Sequence, residues 1–113
     1  LRLQKSKFRR SFSLTKSDLE YINKKGLELI AKHCREFVIN RISKIYTSNM
    51  DDGKQTPFKG HPVFKAQHAM AICCRKCLEK WHNIQMQREL TDDEIDYCIA
   101  MLMLWIQQGI ENK

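Results

Sequence analysis

The chain has 113 residues, of which 42% are hydrophobic and 29% charged, and its formal charge is +7. This length suits one compact domain and excludes two, and the composition excludes a disordered or fibrous chain. Five of the positive charges lie in residues 1–10, whereas residues 11–113 carry only +2. We therefore predict a flexible basic arm over 1–10 and a single helical domain over 11–113.

The sequence also predicts a cytoplasmic protein that does not enter a membrane. No apolar run follows the basic stretch within the first 20 residues. The longest apolar run, 98–106, has nine residues, and a membrane-spanning helix needs about 20. Five cysteines, an odd number, argue against a complete set of disulfides. In a reducing compartment, clustered cysteines indicate metal or redox chemistry.

Two helices are predicted in the first half of the domain. Thr15 and Ser17 each begin a capping-box pattern, and apolar residues then recur at steps of three and four. Gly26 interrupts this pattern, which favours a helix over 16–25 followed by a longer one over 27–46. A helix–turn–helix DNA-binding unit is disfavoured because the second helix is too long.

A long loop over 47–61 separates these helices from a third, which Pro62 begins. Over 63–81 one side of this helix is apolar. Its other side is polar and includes Lys65, Arg75, Lys76, Glu79 and Lys80.

The last helix has the clearest start signal, because Thr91 and Glu94 form a capping box and Leu90 can pack on Ile95. Residues 98–106 are apolar on every side, which predicts central burial or a homodimer through this helix. Because no strand is predicted, the expected fold is an all-α bundle of about four helices.

Residues 61–82 contain three of the four histidines and three of the five cysteines. Zinc prefers thiolate and imidazole ligands, so this cluster predicts a structural zinc site. Cys74, Cys77 and His82 match the first three ligands of a zinc knuckle. The fourth position is Gln87, which is a poor ligand, so a knuckle is disfavoured.

Helix geometry leaves several ligand sets open. Cys74 and Cys77 lie about 60° apart on a helix and Cys73 and Cys77 about 40° apart, so either pair can share a metal. His82 is eight residues beyond Cys74, about 12 Å along an unbroken helix, and reaches it only if the helix ends or bends. The predicted ligands are Cys74, Cys77, His82 and His68, with His61 and Cys73 as substitutes. A missing ligand could also come from other predicted helices, through His33, Cys34 or Cys98.

Other interpretations of the cluster remain open. Buried cysteines often act as small hydrophobic residues, so a packed core without metal is an alternative. His61, which precedes Pro62, would then cap a helix. A thioredoxin-like redox pair is disfavoured because Cys74 and Cys77 are predicted in mid-helix with no strand before them.

The segments GKQTPFKGHPVFKAQHAMAICCRKCLEKWH and RELTDDEIDYCIAMLMLWI resemble a bacterial family of domains of unknown function, number 4186. The resemblance extends from about Ser13 to Gln107 and is most specific over 53–82. It implies a cytoplasmic bacterial protein of one domain and brings no activity. The family pattern has Gly where this chain has Lys76 and Asn83, and without a Gly after His82 the pattern does not define where the helix that contains His82 ends.

The sequence therefore favours a small helical protein with a structural zinc site. A nucleic-acid-binding module that uses the basic arm and the Lys/Arg face of 65–80 is one alternative. A helical dimerisation protein without metal is another. No catalytic residue is predicted, because phosphate-binding glycine loops and G-x-S-x-G or H-E-x-x-H motifs are absent from the sequence. An enzyme would have its pocket at loop 53–61, beside the cluster.

Overall fold

The computed structural model describes residues 6–44 and 56–112, and every regular element in these two ranges is helical. The elements are α1 (Lys7–Arg10), α2 (Lys16–Lys25), α3 (Leu27–Phe37, continued by a π-helical turn, Val38–Ile42), α4 (Pro62–Ala69), α5 (Arg75–His82) and α6 (Asp92–Glu111). The all-α prediction is confirmed. The described residues form six helices instead of about four, because α1 is added and the predicted helix over 63–81 is divided into α4 and α5.

Local capping explains the boundary between α2 and α3. Thr15 and Asp18 form a capping box in which each side chain accepts the backbone N–H of the other residue. Gly26 has a φ of +87°, which ends α2 and turns the chain into α3. The predicted helix over 16–25 is confirmed. The next helix begins at Leu27 as predicted and continues to Ile42. Residues 43–44, which are also predicted to be helical, form a bend, and residues 45–46 of that prediction lie outside the described ranges.

A tight turn divides the predicted helix over 63–81. Ala71 has a φ of +59°, and the N–H of Ile72 donates to the carbonyl of Gln67 at 2.8 Å. This is a Schellman-type helix end, which usually has glycine at the left-handed position. Because alanine stands there, the sequence carries no signal for the turn. The prediction of one continuous helix is wrong for this reason.

Helix α6 lies against α3 and α4 and forms the centre of the core. Its capping box between Thr91 and Glu94 is confirmed. The helix is buried along one face, and on its other face Leu104 is 43% exposed. Dimerisation through this helix stays a prediction, because the structure contains a single chain. The core residues of α6 are Ile95, Cys98, Leu102 and Ile106. Among the described helices, none combines the length and the apolar character that crossing a membrane requires.

The predicted basic arm and the predicted long loop are described only in part. Residues 1–5 and 45–55 lie outside the described ranges. Residues 7–10 of the arm form α1, and residues 56–61 of the loop are not helical. Thr56 anchors this end of the loop, since its hydroxyl donates to the carbonyl of Cys73 at 2.8 Å.

The end of α5, which the family pattern leaves undefined, lies at His82. Asn83 follows in the left-handed region, with φ +59° and ψ +36°. This region costs most residues about 1–2 kcal/mol, and glycine and asparagine tolerate it best. We expect Asn83→Ala to lower the free energy of unfolding by about 1 kcal/mol and Asn83→Gly to raise it slightly.

Chemical denaturation of the two Asn83 variants tests this expectation. Gln87→Ala, at an exposed position of the same connection, is the matched control and should change the free energy by less than about 0.5 kcal/mol. Equal stabilities of Asn83→Ala and Asn83→Gly would contradict a role for the left-handed conformation.

Candidate metal centre

Three thiols meet where the turn after α4 leads into α5. The sulfur atoms of Cys73, Cys74 and Cys77 all lie within 4.8 Å of one another, and those of Cys74 and Cys77 are 3.2 Å apart. Cys73 and Cys74 are buried and Cys77 is half-buried. The turn at Ala71 positions the first two cysteines, and the first turn of α5 positions the third.

The pair Cys74 and Cys77 stands at the start of a helix. Cys74 is the N-cap of α5, and its sulfur accepts the N–H of Cys77 at 3.4 Å. The prediction that this pair lies in mid-helix is therefore wrong, because the helix is interrupted between residues 70 and 74. A helix N-terminus favours negative charge, so this position favours thiolates over thiols.

Arg9 contributes a cation to the cluster. Its side chain is buried, and it donates to the carbonyl of His68 at 2.6 Å. It also donates to the sulfurs of Cys73 at 3.5 Å and Cys77 at 3.2 Å. Sequence analysis misses this residue, because nothing in the sequence separates Arg9 from the exposed Arg10 beside it.

The hydrogen bonds within the cluster distribute its negative charge unevenly. Hydrogen bonds from the thiols of Cys73 and Cys74, and from Arg9, lower the pKa of Cys77. The neighbouring sulfurs, together with burial, raise the pKa of Cys74. Cys77 is therefore the first of these two cysteines to ionise.

The dimensions of the cluster suit a tetrahedral metal ion. Zinc binds thiolate sulfur at about 2.3 Å, so two sulfurs on one zinc lie about 3.8 Å apart. The sulfurs here include a pair at 3.2 Å and are all within 4.8 Å, which brackets that separation. Only small movements of the side chains would be needed to hold the ion.

His68 on α4 has one ring nitrogen fixed by the backbone. Its Nε2 lies 3.2 Å from the carbonyl oxygens of both Thr56 and Pro57. Because a carbonyl only accepts, Nε2 carries the proton, and the lone pair of the neutral ring is on Nδ1. Burial lowers the pKa of His68 and favours this neutral form. The ring stacks on Phe58 with a centroid separation of 4.1 Å.

Both ring nitrogens of His82 form hydrogen bonds with groups other than the three thiols. Its Nδ1 lies 2.7 Å from the hydroxyl of Tyr97, and its Nε2 lies 2.6 Å from the carbonyl of Met70. Both nitrogens of this predicted ligand are therefore in hydrogen bonds that link α5 to α6 and to the end of α4.

His61 caps α4. Its Nδ1 accepts the N–H of Val63 at 3.0 Å, so its Nε2 carries the proton and points at Nδ1 of His33, also 3.0 Å away. Burial and the neighbouring His33 lower the pKa of His61 to about 4. The ring is thus neutral at pH 7, and its accepting nitrogen is already used by the helix.

The other two cysteines lie in the core. Cys34 and Cys98 are fully buried, and burial raises the pKa of each thiol to about 12. These thiols behave as small apolar side chains. Among the described residues, neither they nor the histidines join the group of three sulfurs.

The chain was compared with known families and solved structures. The model of a family described as "Domain of unknown function (DUF4186)" matches residues 1–107. It carries the family number that the motifs of residues 53–82 and 88–106 indicate. No solved structure matches the chain.

Proposed function

The chain belongs to the DUF4186 family of domains, whose function is unknown, and we propose from the geometry of the site that the domain binds a structural zinc ion through Cys73, Cys74 and Cys77. The observation that carries this proposal is the convergence of three sulfurs within 4.8 Å at a helix N-terminus. Thiolates are preferred zinc ligands, and both the helix start and Arg9 favour the ionised form of Cys77.

We propose His68 as the fourth ligand, through Nδ1. A zinc-bound histidine usually donates its other N–H to a carbonyl or carboxylate, which fixes the ring and its tautomer. Nε2 of His68 has this arrangement with Thr56 and Pro57. His82 and His61 are left out of the proposed set, because both nitrogens of each ring have other partners.

The charge balance supports the same assignment. Three thiolates, one neutral histidine and Zn²⁺ sum to a net charge of −1, which is costly to bury without a counter-charge. Arg9 supplies the positive charge and donates to two of the sulfurs. Such outer hydrogen bonds orient the ligands and moderate their charge.

The metal would join parts of the chain that are distant in sequence. Arg9 attaches α1 to the cluster, and Thr56 attaches the segment before α4. The zinc ion would thus hold α1, residues 56–61 and the turn between α4 and α5 together, which is a structural role.

Metal analysis of protein purified without a metal-affinity column tests the proposal. We expect about one zinc per chain, and a large loss of zinc in Cys73→Ala and Cys77→Ala. Cys34→Ala removes a buried thiol outside the cluster and should retain the metal. Wild-type protein that holds no zinc, even after refolding with zinc, would refute the site.

Cobalt substitution tests the fourth ligand. Co²⁺ in a tetrahedral thiolate site gives visible absorption that depends on the ligands. We expect His68→Ala to change this spectrum and to weaken zinc binding by at least about tenfold, whereas His82→Ala should leave the spectrum unchanged. The opposite result would assign the fourth position to His82, which the sequence predicts as a ligand together with His68.

A further inference from the structure

A basic surface surrounds α1 and the segment before α4. Residues 6–17 and 56–61 together contain five Lys and Arg and no Asp or Glu, and Lys7, Arg10, Lys16 and Lys59 among them are exposed. The two segments meet through aromatic rings: the ring centroids of Phe8 and Phe58 are 6.5 Å apart, and Phe12 lies 5.2 Å from Phe8 and 6.5 Å from Phe58. We call Phe8, Phe12 and Phe58 the aromatic platform.

The platform is open to solvent. Phe8 is 50% exposed and Phe58 57% exposed, and both lie outside the main core cluster. Clustered exposed phenyl rings leave apolar area in water and so mark an interaction site more often than a single exposed residue does. The rings are also held in place, because Phe58 stacks on His68 and α1 is anchored by Arg9.

Positive side chains flank the platform. Lys7, Arg10 and Lys59 are exposed, and none of them is in an ion pair with an acidic residue of the described chain. Lys65 differs, since it pairs with Asp18 inside the adjoining cavity. Exposed aromatic rings among cations are the features with which proteins bind single strands: bases stack, and phosphates contact the cations.

A cavity of about 680 Å³ continues from the platform towards α2. Its lining includes the aromatic residues Phe12, Phe58 and Tyr21 together with Ser11 and Ser13. Ring faces beside hydroxyl groups suit a nucleobase and its sugar better than an aliphatic chain.

We propose that the platform and this cavity bind single-stranded nucleic acid. Bases would stack on Phe8 and Phe58, and the backbone would contact Lys7, Arg10 and Lys59. This surface shares Lys7 and Arg10 with the basic arm that the sequence suggests for nucleic-acid binding, and it uses Lys59 and the aromatic platform in place of the Lys/Arg face of 65–80. The contacts that hold α1 and Phe58 in place are the Arg9 bond to the carbonyl of His68 and the stacking of Phe58 on the His68 ring.

Fluorescence anisotropy with the full chain tests the proposal, using a labelled single-stranded oligonucleotide of about twelve nucleotides. We expect the single strand to bind more tightly than a duplex of the same length. Three phosphate contacts give a slope of log affinity against log salt of about −2. A duplex that binds equally well, or binding to anionic vesicles with none to the oligonucleotides, would overturn the proposal.

Variants separate stacking from general charge attraction. Phe58→Ala should weaken binding by about five- to a hundredfold, and Phe58→Trp should preserve it. Phe8→Ala repeats the test at a ring that does not stack on His68, in case Phe58→Ala disturbs the fold. Leu104→Ala, an exposed apolar residue on α6, is the matched control. Wild-type affinity in both alanine variants would refute stacking on the platform.

A second pair of variants tests whether the exposed cations beside the platform contact the phosphates. Lys59→Gln should weaken binding and reduce the magnitude of the salt slope by about 0.7. Lys32→Gln removes the same charge from an exposed position of α3, away from the platform, and should leave the slope unchanged. Equal effects of the two variants would show that only the net charge matters, which would contradict a defined site.

Discussion

Removal of zinc with a strong chelator is expected to lower the midpoint of thermal unfolding by at least about 10 °C. A ligand at a thousand times its dissociation constant stabilises the folded state by about 4 kcal/mol, and a domain of this size changes its midpoint by about 4 °C per kcal/mol. We expect a large effect because none of the three thiols belongs to the core around α3 and α6, so a metal would add links between segments that this core does not supply.

The geometry at the start of α5 also predicts which backbone amides lose protection from hydrogen exchange when zinc is removed. Without zinc, α5 starts at an N-cap whose sulfur makes only a 3.4 Å contact with the N–H of Cys77. We expect amide hydrogen exchange to accelerate at Cys77 and Leu78, whereas Leu102 and Ile106 in α6 stay protected. Scanning calorimetry and exchange on one sample measure both effects.

Two controls complete the zinc-removal experiment. Cys34→Ala protein should lose the same stability on chelation, and Cys77→Ala protein should be insensitive to the chelator. An unchanged midpoint in wild-type protein that has demonstrably lost its zinc would contradict a structural role and leave only binding.

The helices with local start or stop signals were predictable from the sequence. Thr15, Gly26 and Thr91 each act through neighbours within four residues, so the sequence contains the whole signal. The turn at Ala71 depends instead on the packing of the finished fold, because alanine has no preference for the left-handed region.

The missed turn explains the differences at the candidate site. One continuous helix places Cys74 in mid-helix, where His82 could reach it only if the helix ended or bent. The break brings Cys73 into the cluster and makes Cys74 the N-cap. Arg9 was not predictable, because its contacts are with residues 59 to 68 positions later in the chain.

The contacts of Arg75 also depend on the folded structure and were not predictable from the sequence. Its substitution is the second change for which we expect a large effect. The sequence places it on the polar side of a continuous helix, and the structure buries it completely, so this prediction is wrong. After the turn, the guanidinium donates to the carbonyls of Ile42, Ser43 and Lys44, at the end of the α3 helical segment, and to that of Gln85. A cation at a helix C-terminus is favoured, and it satisfies carbonyls that lack helical partners.

Arg75→Met is expected to lower the free energy of unfolding by about 3 to 5 kcal/mol, as measured by urea denaturation. Methionine fills much of the volume, but the backbone carbonyls lose a buried, charged donor. Arg75→Lys retains the charge without the planar fork, so we expect an intermediate loss of about 2 kcal/mol.

Arg35→Met is the matched control, because the Arg35 side chain is 50% exposed and its ion pair with Asp96 lies at the surface. We expect it to cost less than about 1 kcal/mol. Should Arg75→Met prove no more damaging than Arg35→Met, the carbonyl contacts of Arg75 would not stabilise the fold. Its burial would then reflect only the apolar packing of its aliphatic stem.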